Sequence, residues 1–256
     1  MGEGCFGTLG AMEATEGTVA AVSCNDTYAF TKPVRDEIVL IAGVGVKGDV
    51  HAGVHVKHRG RVRNDATQPN FRQVHLIQQE LFAEVGAKGF AVAAGNLGEN
   101  VTTSGIDLLA LPVGTILRFG TPMDASGVNA SGTDASGTNL SGGGSGALKA
   151  VLEVAAAAEL DRATAASAVA LAAAAARDRG DDFRPAVVLA GLRNPCAQIN
   201  AFRQGLLKEV IGRGEGGDVI YKAGVMAVVL RGGAIRPGDT VTAELPPLPH
   251  GPLERV

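Results

Sequence analysis

Gly191-Leu192-Arg193-Asn194-Pro195-Cys196-Ala197-Gln198-Ile199 sets one cysteine directly behind an arginine, at what reads as the mouth of a helix. Asn194 suits an N-cap, and Pro195 suits the first helical turn, where a missing N–H costs nothing. Apolar residues recur at Ile199, Phe202, Leu206 and Val210, a helical spacing that Gly205 weakens. On this reading Cys196 lies in the first turn, where unpaired N–H groups and the helix dipole favour an anion. Arg193 adds a positive charge. Together they would lower the thiol pKa and favour the thiolate, the form that binds metals and attacks sulfur. The residues alone leave a second reading open, a small cysteine buried in a core.

Around this stretch the composition bounds the answer. A chain of 256 residues holds one large domain or two small ones, and 46% hydrophobic with 19% charged residues is a globular balance. A net charge of -3 gives no global attraction to nucleic acid or anionic lipid. Three cysteines, Cys5, Cys24 and Cys196, are few and widely spaced, so reduced thiols in an intracellular compartment are expected. No C-x-x-C occurs, which disfavours a structural zinc site. No apolar run approaches the ~18 residues of a spanning helix, and no secretory leader is apparent. Met1-Gly2 lacks the Ser or Thr of a myristoylation motif, since Phe6 stands there. A soluble, cytoplasmic protein is expected.

Residues 1–16 read as a loose leader. Residues 17–30 read as a strand or hairpin broken near Asn25-Asp26, and residues 37–46 as a second strand region. Gly43-Val44-Gly45-Val46-Lys47-Gly48 spells a dinucleotide fingerprint, but no amphipathic helix opens after it, so its glycines are read as turn formers. His51 and His55, with Asp49 nearby, would suit a first-row metal only on a helix, which Gly53 disfavours. Residues 57–63 carry Lys57, His58, Arg59, Arg61 and Arg63, either a solvated loop or a cradle for an oxyanion.

Val74, Ile77, Leu81 and Val85 predict a helix over residues 70–87, and residues 108–119 read as two short strands around Pro112-Val113-Gly114. Between them, residues 95–105 frame Asn100, Thr102, Thr103 and Ser104 with glycines, as turn chemistry or as donors for a polar ligand. Residues 121–146 are rich in Ala, Ser and Gly and are expected to be a flexible insertion. Residues 155–179 are alanine-rich and predict a helix with a thin packing face. The strand leading into the cysteine stretch is either 148–154 or 186–192. Residues 224–230 and 240–245 are strand candidates, and a Pro-rich tail follows from 246. Many short strands and few helices predict an α+β, mainly β, barrel-like domain over residues 17–245, interrupted at about 121–185.

Seven stretches, in order, carry a resemblance. They are Gly48-Asp49-Val50-His51-Ala52-Gly53, Lys57-His58-Arg59, Arg72-Gln73-Val74-His75-Leu76-Ile77, Gly98-Glu99-Asn100-Val101-Thr102, Leu111-Pro112-Val113-Gly114, Leu192-Arg193-Asn194-Pro195-Cys196 and Gly238-Asp239. Their combination resembles the MOSC family, the C-terminal domain of molybdenum cofactor sulfurases, and most of all its single-domain bacterial-type members. Some of those are implicated in resistance to N-hydroxylated purine bases. The resemblance implies a barrel-like fold related to the pyruvate kinase barrel domain, and a cysteine that carries sulfur or ligates molybdenum of a pterin cofactor. The chain departs from the fused sulfurases in having no aminotransferase-like half, so pyridoxal phosphate is not expected.

The leading expectation is a molybdenum-cofactor (molybdopterin) reductase of small N-hydroxylated substrates. Cys196 would be the one protein ligand. Arg193, Lys57, His58 and Arg59 would be counter-charges to the pterin and its phosphate. Asn100, Thr102 and Thr103 would give neutral hydrogen bonds, with Asn194, Asp49 and His51 also at the cofactor. A redox partner would supply electrons, as no flavin, haem or iron–sulfur motif is present. The alternative is a non-catalytic carrier of a persulfide, received from a sulfur-donor protein, or of the cofactor itself.

Overall fold

The computed structural model describes residues 15–121, 144–178, 180–214 and 216–256. Its first half contains β1 (Glu16–Ser23), β2 (Val34–Arg35), β3 (Ile38–Ile41), β4 (Gly45–Val46), α1 (Arg59–Asn64), β5 (Val74–Gln78), α2 (Glu80–Gly86), β6 (Val101–Ser104) and β7 (Ile116–Phe119). Helices α3 (Gly144–Ala157) and α4 (Arg162–Arg177) follow, then β8 (Ala186–Leu192), α5 (Gln198–Phe202) and α6 (Leu206–Glu209). Strands β9 (Ile211–Arg213), β10 (Val219–Tyr221), β11 (Val225–Arg231), β12 (Gly233–Ile235) and β13 (Thr240–Glu244) complete the chain.

Seven strands close on themselves in the order β1-β13-β7-β8-β11-β5-β6, with β6 returning to β1. Only the β5–β6 pair of this ring is parallel. Closure removes the sheet edges that an open sheet would expose. The barrel is mainly β with a few peripheral helices, as the sequence predicts.

Period-two alternation divides the central strands between two apolar layers. Val187 and Leu189 of β8, with Ala227 and Val229 of β11, fill the barrel together with Val74, Leu76, Leu117 and Phe119. The alternate residues Val188, Ala190, Val228 and Leu230 face outward, onto Val151, Ala155, Leu171 and Ala174 of α3 and α4. Burial on both faces is why β8 and β11 read as unbroken apolar runs. A third cluster joins Ile77, Leu81, Val85 and Leu97 to Ile199, Leu206 and Val210.

Several local expectations are corrected. The helix predicted over 70–87 is β5 followed by α2. Val74 and Leu76 enter the barrel while Ile77 joins Leu81 and Val85, so pairing with β6 and β11 overrides a coincidental helical stripe. Residues 108–119 supply one strand, β7, rather than two. The alanine-rich helix is two helices, and the second is capped by Asp161, whose side chain accepts from Thr164 N at 2.8 Å. Its packing face is not thin. Alanines let α4 lie close on the barrel, where Ser167 Oγ donates to Ala190 O at 2.5 Å. The strand before the cysteine is β8, not 148–154. The flexible insertion expected over 121–146 falls largely on residues 122–143, outside those described, as do residues 1–14 of the expected leader and Cys5.

Candidate functional site

The helix expected to open at Cys196 opens later and is shorter. Ala197 is the N-cap of α5, and Cys196 precedes it, its carbonyl accepting from Ile199 N at 3.0 Å. Gly205 adopts φ 94° and breaks the chain into α5 and α6, a conformation glycine tolerates without strain. The apolar spacing still holds, because Ile199, Leu206 and Val210 remain buried together. Asn194 is not a cap. It is exposed, and its Oδ1 accepts from Arg255 Nη1 at 3.4 Å.

Cys196 lies half-buried at a cleft of about 140 Å³ on the outer wall of the barrel, where β8, β11, β5 and β6 run side by side. The strand register assembles its floor. Met226 of β11 pairs with His75 of β5 and with Gly191 of β8. The parallel step to β6 then places Asn100 beside His75, with Asn100 N donating to His75 O at 2.8 Å. His75 and Met226 point outward because their neighbours Val74, Leu76, Val225 and Ala227 fill the barrel.

The cleft brings together Cys196, Arg193, Asn194, Lys57, His58, Arg59, Asn100 and His51 from four distant stretches. Thr102, Thr103 and Asp49 do not line it. Thr102 Oγ1 is buried against Glu99 at 3.4 Å, and Thr103 is fully buried in β6, so neither offers a ligand a hydrogen bond. Asp49 instead braces the wall. Its carboxylate accepts from Lys32 Nζ at 2.6 Å, Asn100 Nδ2 at 2.9 Å and His51 N at 2.9 Å. Burial works to raise its pKa, but the His51 hydrogen bonds and the Lys32 charge hold it below the usual carboxylate range. Asn100 is largely occupied as well: Nδ2 donates to Ser23 O and Asp49, and Oδ1 accepts from His75 N. His51 Nδ1 also lies 3.1 Å from Asp49. Among the described residues no three of His, Cys, Asp or Glu gather to hold a metal.

The sequence reading overlooked Arg72, His75, Lys32, Tyr28 and Phe30, which also line the cleft. Arg72 and His75 lie inside the stretch read as a helix; the alternation of β5 turns His75 to the face opposite Val74 and Leu76, and Arg72 precedes that strand. The Arg193 side chain is buried, with Nη1 lacking any hydrogen-bond partner among the described residues, and Phe30 lies 5.9 Å from its guanidinium carbon. Among the described residues the Arg72 side chain donates only to an oxygen of Val256. Burial pushes both guanidinium pKa values down, and Arg61 and Arg193 add to the fall at Arg72, while Cys196 opposes it at both. His58 is lowered to about 4 by burial and by Arg72, His51, Arg193 and Arg61. At the rim Arg59 covers the Tyr28 ring at 4.6 Å, and Tyr28 meets His51 edge-on. The result is a cationic cleft beside an accessible thiol, in which the charge of Glu99 supports Arg193 but neither Arg193 nor Arg72 forms an ion pair with an Asp or Glu among the described residues.

The protein of known structure YuaD from Bacillus subtilis superposes with a TM-score of 0.55 at 18% identity, over 91% of this chain and 97% of that one. The barrel is shared. Two proteins named YiiM, from Geobacillus stearothermophilus and Escherichia coli, superpose at 13% identity each, with TM-scores of 0.49 and 0.45. They cover 92% and 91% of this chain, and 79% and 73% of their own. No protein-family model matches the sequence, and no curated protein matches it. Among the described residues no helix is long and apolar enough to cross a membrane.

Proposed function

We propose that this chain is a MOSC-family protein that holds a molybdenum–pterin cofactor at Cys196 and reduces small N-hydroxylated substrates. One observation carries the reading: Arg193 is buried beside the half-buried Cys196 with no ion pair and with Nη1 unpartnered among the described residues, and Arg72 lines the same cleft. A buried cation left uncompensated costs several kcal/mol unless an anion joins it. The seven ordered stretches and the shared barrel support the family.

The donor set fits such a group. A lone cysteine cannot hold a metal by itself, so the metal must arrive with its own ligands, as it does in a pterin dithiolene. Bound there, the cofactor would supply the two electrons that, with two protons, cleave an N–O bond to an N–H and water. Cys196 would bind through Sγ. Arg193 and Arg72 would neutralise the anionic oxygens, and exposed Lys57 and Arg59 would draw the anion in. Tyr28 and Phe30 would shield one wall from water. Electrons would come from a partner protein.

The test is turnover of an N-hydroxylated amidine by cofactor-loaded protein with a chemical reductant. The reading expects stoichiometric amidine with wild type and none with Cys196→Ala. Equal turnover by the variant contradicts it. A persulfide on Cys196 after incubation with a sulfur donor, with no turnover, favours a sulfur carrier instead.

A further inference from the structure

His75 is buried, 4% exposed, and lines the same cleft as Arg72 and Arg193. Its Nε2 lies 2.7 Å from Ala223 O. A carbonyl only accepts, so Nε2 carries the proton and Nδ1 is left as a bare lone pair. Glycine at 224 permits this approach, because a Cβ there would stand 2.9 Å from Nε2. Among the described residues Nδ1 makes no hydrogen bond, and it is not among the sealed polar atoms. The ring's one free polar atom therefore opens on the cleft. Burial and the charges of Arg193, Lys32 and Arg72 oppose a second proton, so the ring stays a neutral acceptor.

We infer that His75 Nδ1 makes this cationic cleft selective for an oxyanion that carries a hydroxyl proton, with hydrogen phosphate the simplest example, over one fully deprotonated. The arginines attract any anion of suitable size, but an acceptor facing a bare oxygen repels it. An oxygen bearing a proton becomes a donor to Nδ1 and satisfies it. The inference rests on reading the cleft as an anion site and not on the presence of molybdenum.

Calorimetric titration of cofactor-free protein with inorganic phosphate, mainly the hydrogen phosphate dianion at pH 7.5, and with the fully deprotonated sulfate dianion, at matched ionic strength, tests it. Phosphate is expected to bind about tenfold more tightly than sulfate. In His75→Phe that preference disappears; in His75→Gln, whose amide can donate to Ala223 O and accept from the ligand, part of it returns. Circular dichroism and melting curves establish that each variant is folded. Equal affinities in wild type, or a preference surviving in folded His75→Phe, overturn the role of His75 while leaving the anion site standing. Absence of binding by either anion overturns the anion site as well. As an independent check, nitrogen NMR of wild type at pH 7.5 should show His75 neutral and protonated at Nε2; a proton on Nδ1 contradicts the inference.

Discussion

Arg193 illustrates how a side chain held for function burdens the fold. Arg193 is 8% exposed and forms no ion pair among the described residues, with only the more distant charge of Glu99 in its favour, whereas the comparably buried Arg118 meets Asp178, Asp182 and Glu244. Arg193→Met should therefore raise the stability of cofactor-free protein by about 1 kcal/mol, read by urea unfolding, while anion binding is lost. A loss of stability would mean that the cation is compensated in the free protein. His58 gives a second prediction. Its folded pKa of about 4 lies below the ordinary 6.5, so the unfolded chain binds the extra proton first and stability falls as pH drops through that window. The depressed His75 and Asp49 act in the same direction, Asp49 at lower pH. Melting temperature should fall between pH 6.5 and 4, and His58→Gln should flatten the decline. At this scale Cys196, Arg193 and the cationic run at 57–59 were legible as residue types. Asp49 was legible as a residue of interest but not as a brace, because its partner Lys32 is distant in sequence and known only from the fold.

At the scale of elements, the site is made by strand register. Periodicity misread β5 because Val74, Ile77, Leu81 and Val85 satisfy a helical spacing while belonging to a strand and the helix after it. The error hid His75, whose direction follows only once alternation is known. The cysteine stretch went wrong in a related way: its apolar spacing reported burial correctly, but Gly205 divides the helix and Cys196 stays ahead of it. Gly224 ties this level to the site. Its φ is 93°, and a Cβ would stand 2.2 Å from Leu76 O, beside His75. Gly224→Ala should cost about 1–3 kcal/mol or more through backbone strain and separation of β11 from β5. An unchanged melting temperature would show that the strands accommodate the methyl group.

For the molecule as a whole, the decisive contact is between its ends. Strand β1 pairs with β13, Gly17 opposite Val241, and this closes the barrel. Local sequence carries strand propensity but not such a pairing, so a mainly β fold was legible and the ring order was not. Helices α3 and α4 cover the outer faces of β8 and β11, away from Cys196. Leu171, fully buried between them, should cost about 3–5 kcal/mol when replaced by alanine. Cofactor retention by the folded variant should not change, because that layer does not line the cleft. The central claim places a molybdenum-bearing anion between the Cys196 thiol and the guanidiniums of Arg193 and Arg72. It is tested most directly by the molybdenum content of wild type and Cys196→Ser, each loaded with cofactor, freed of unbound metal and verified as folded. The account predicts close to one molybdenum per wild-type chain and almost none in the variant; a variant retaining the full complement would contradict it.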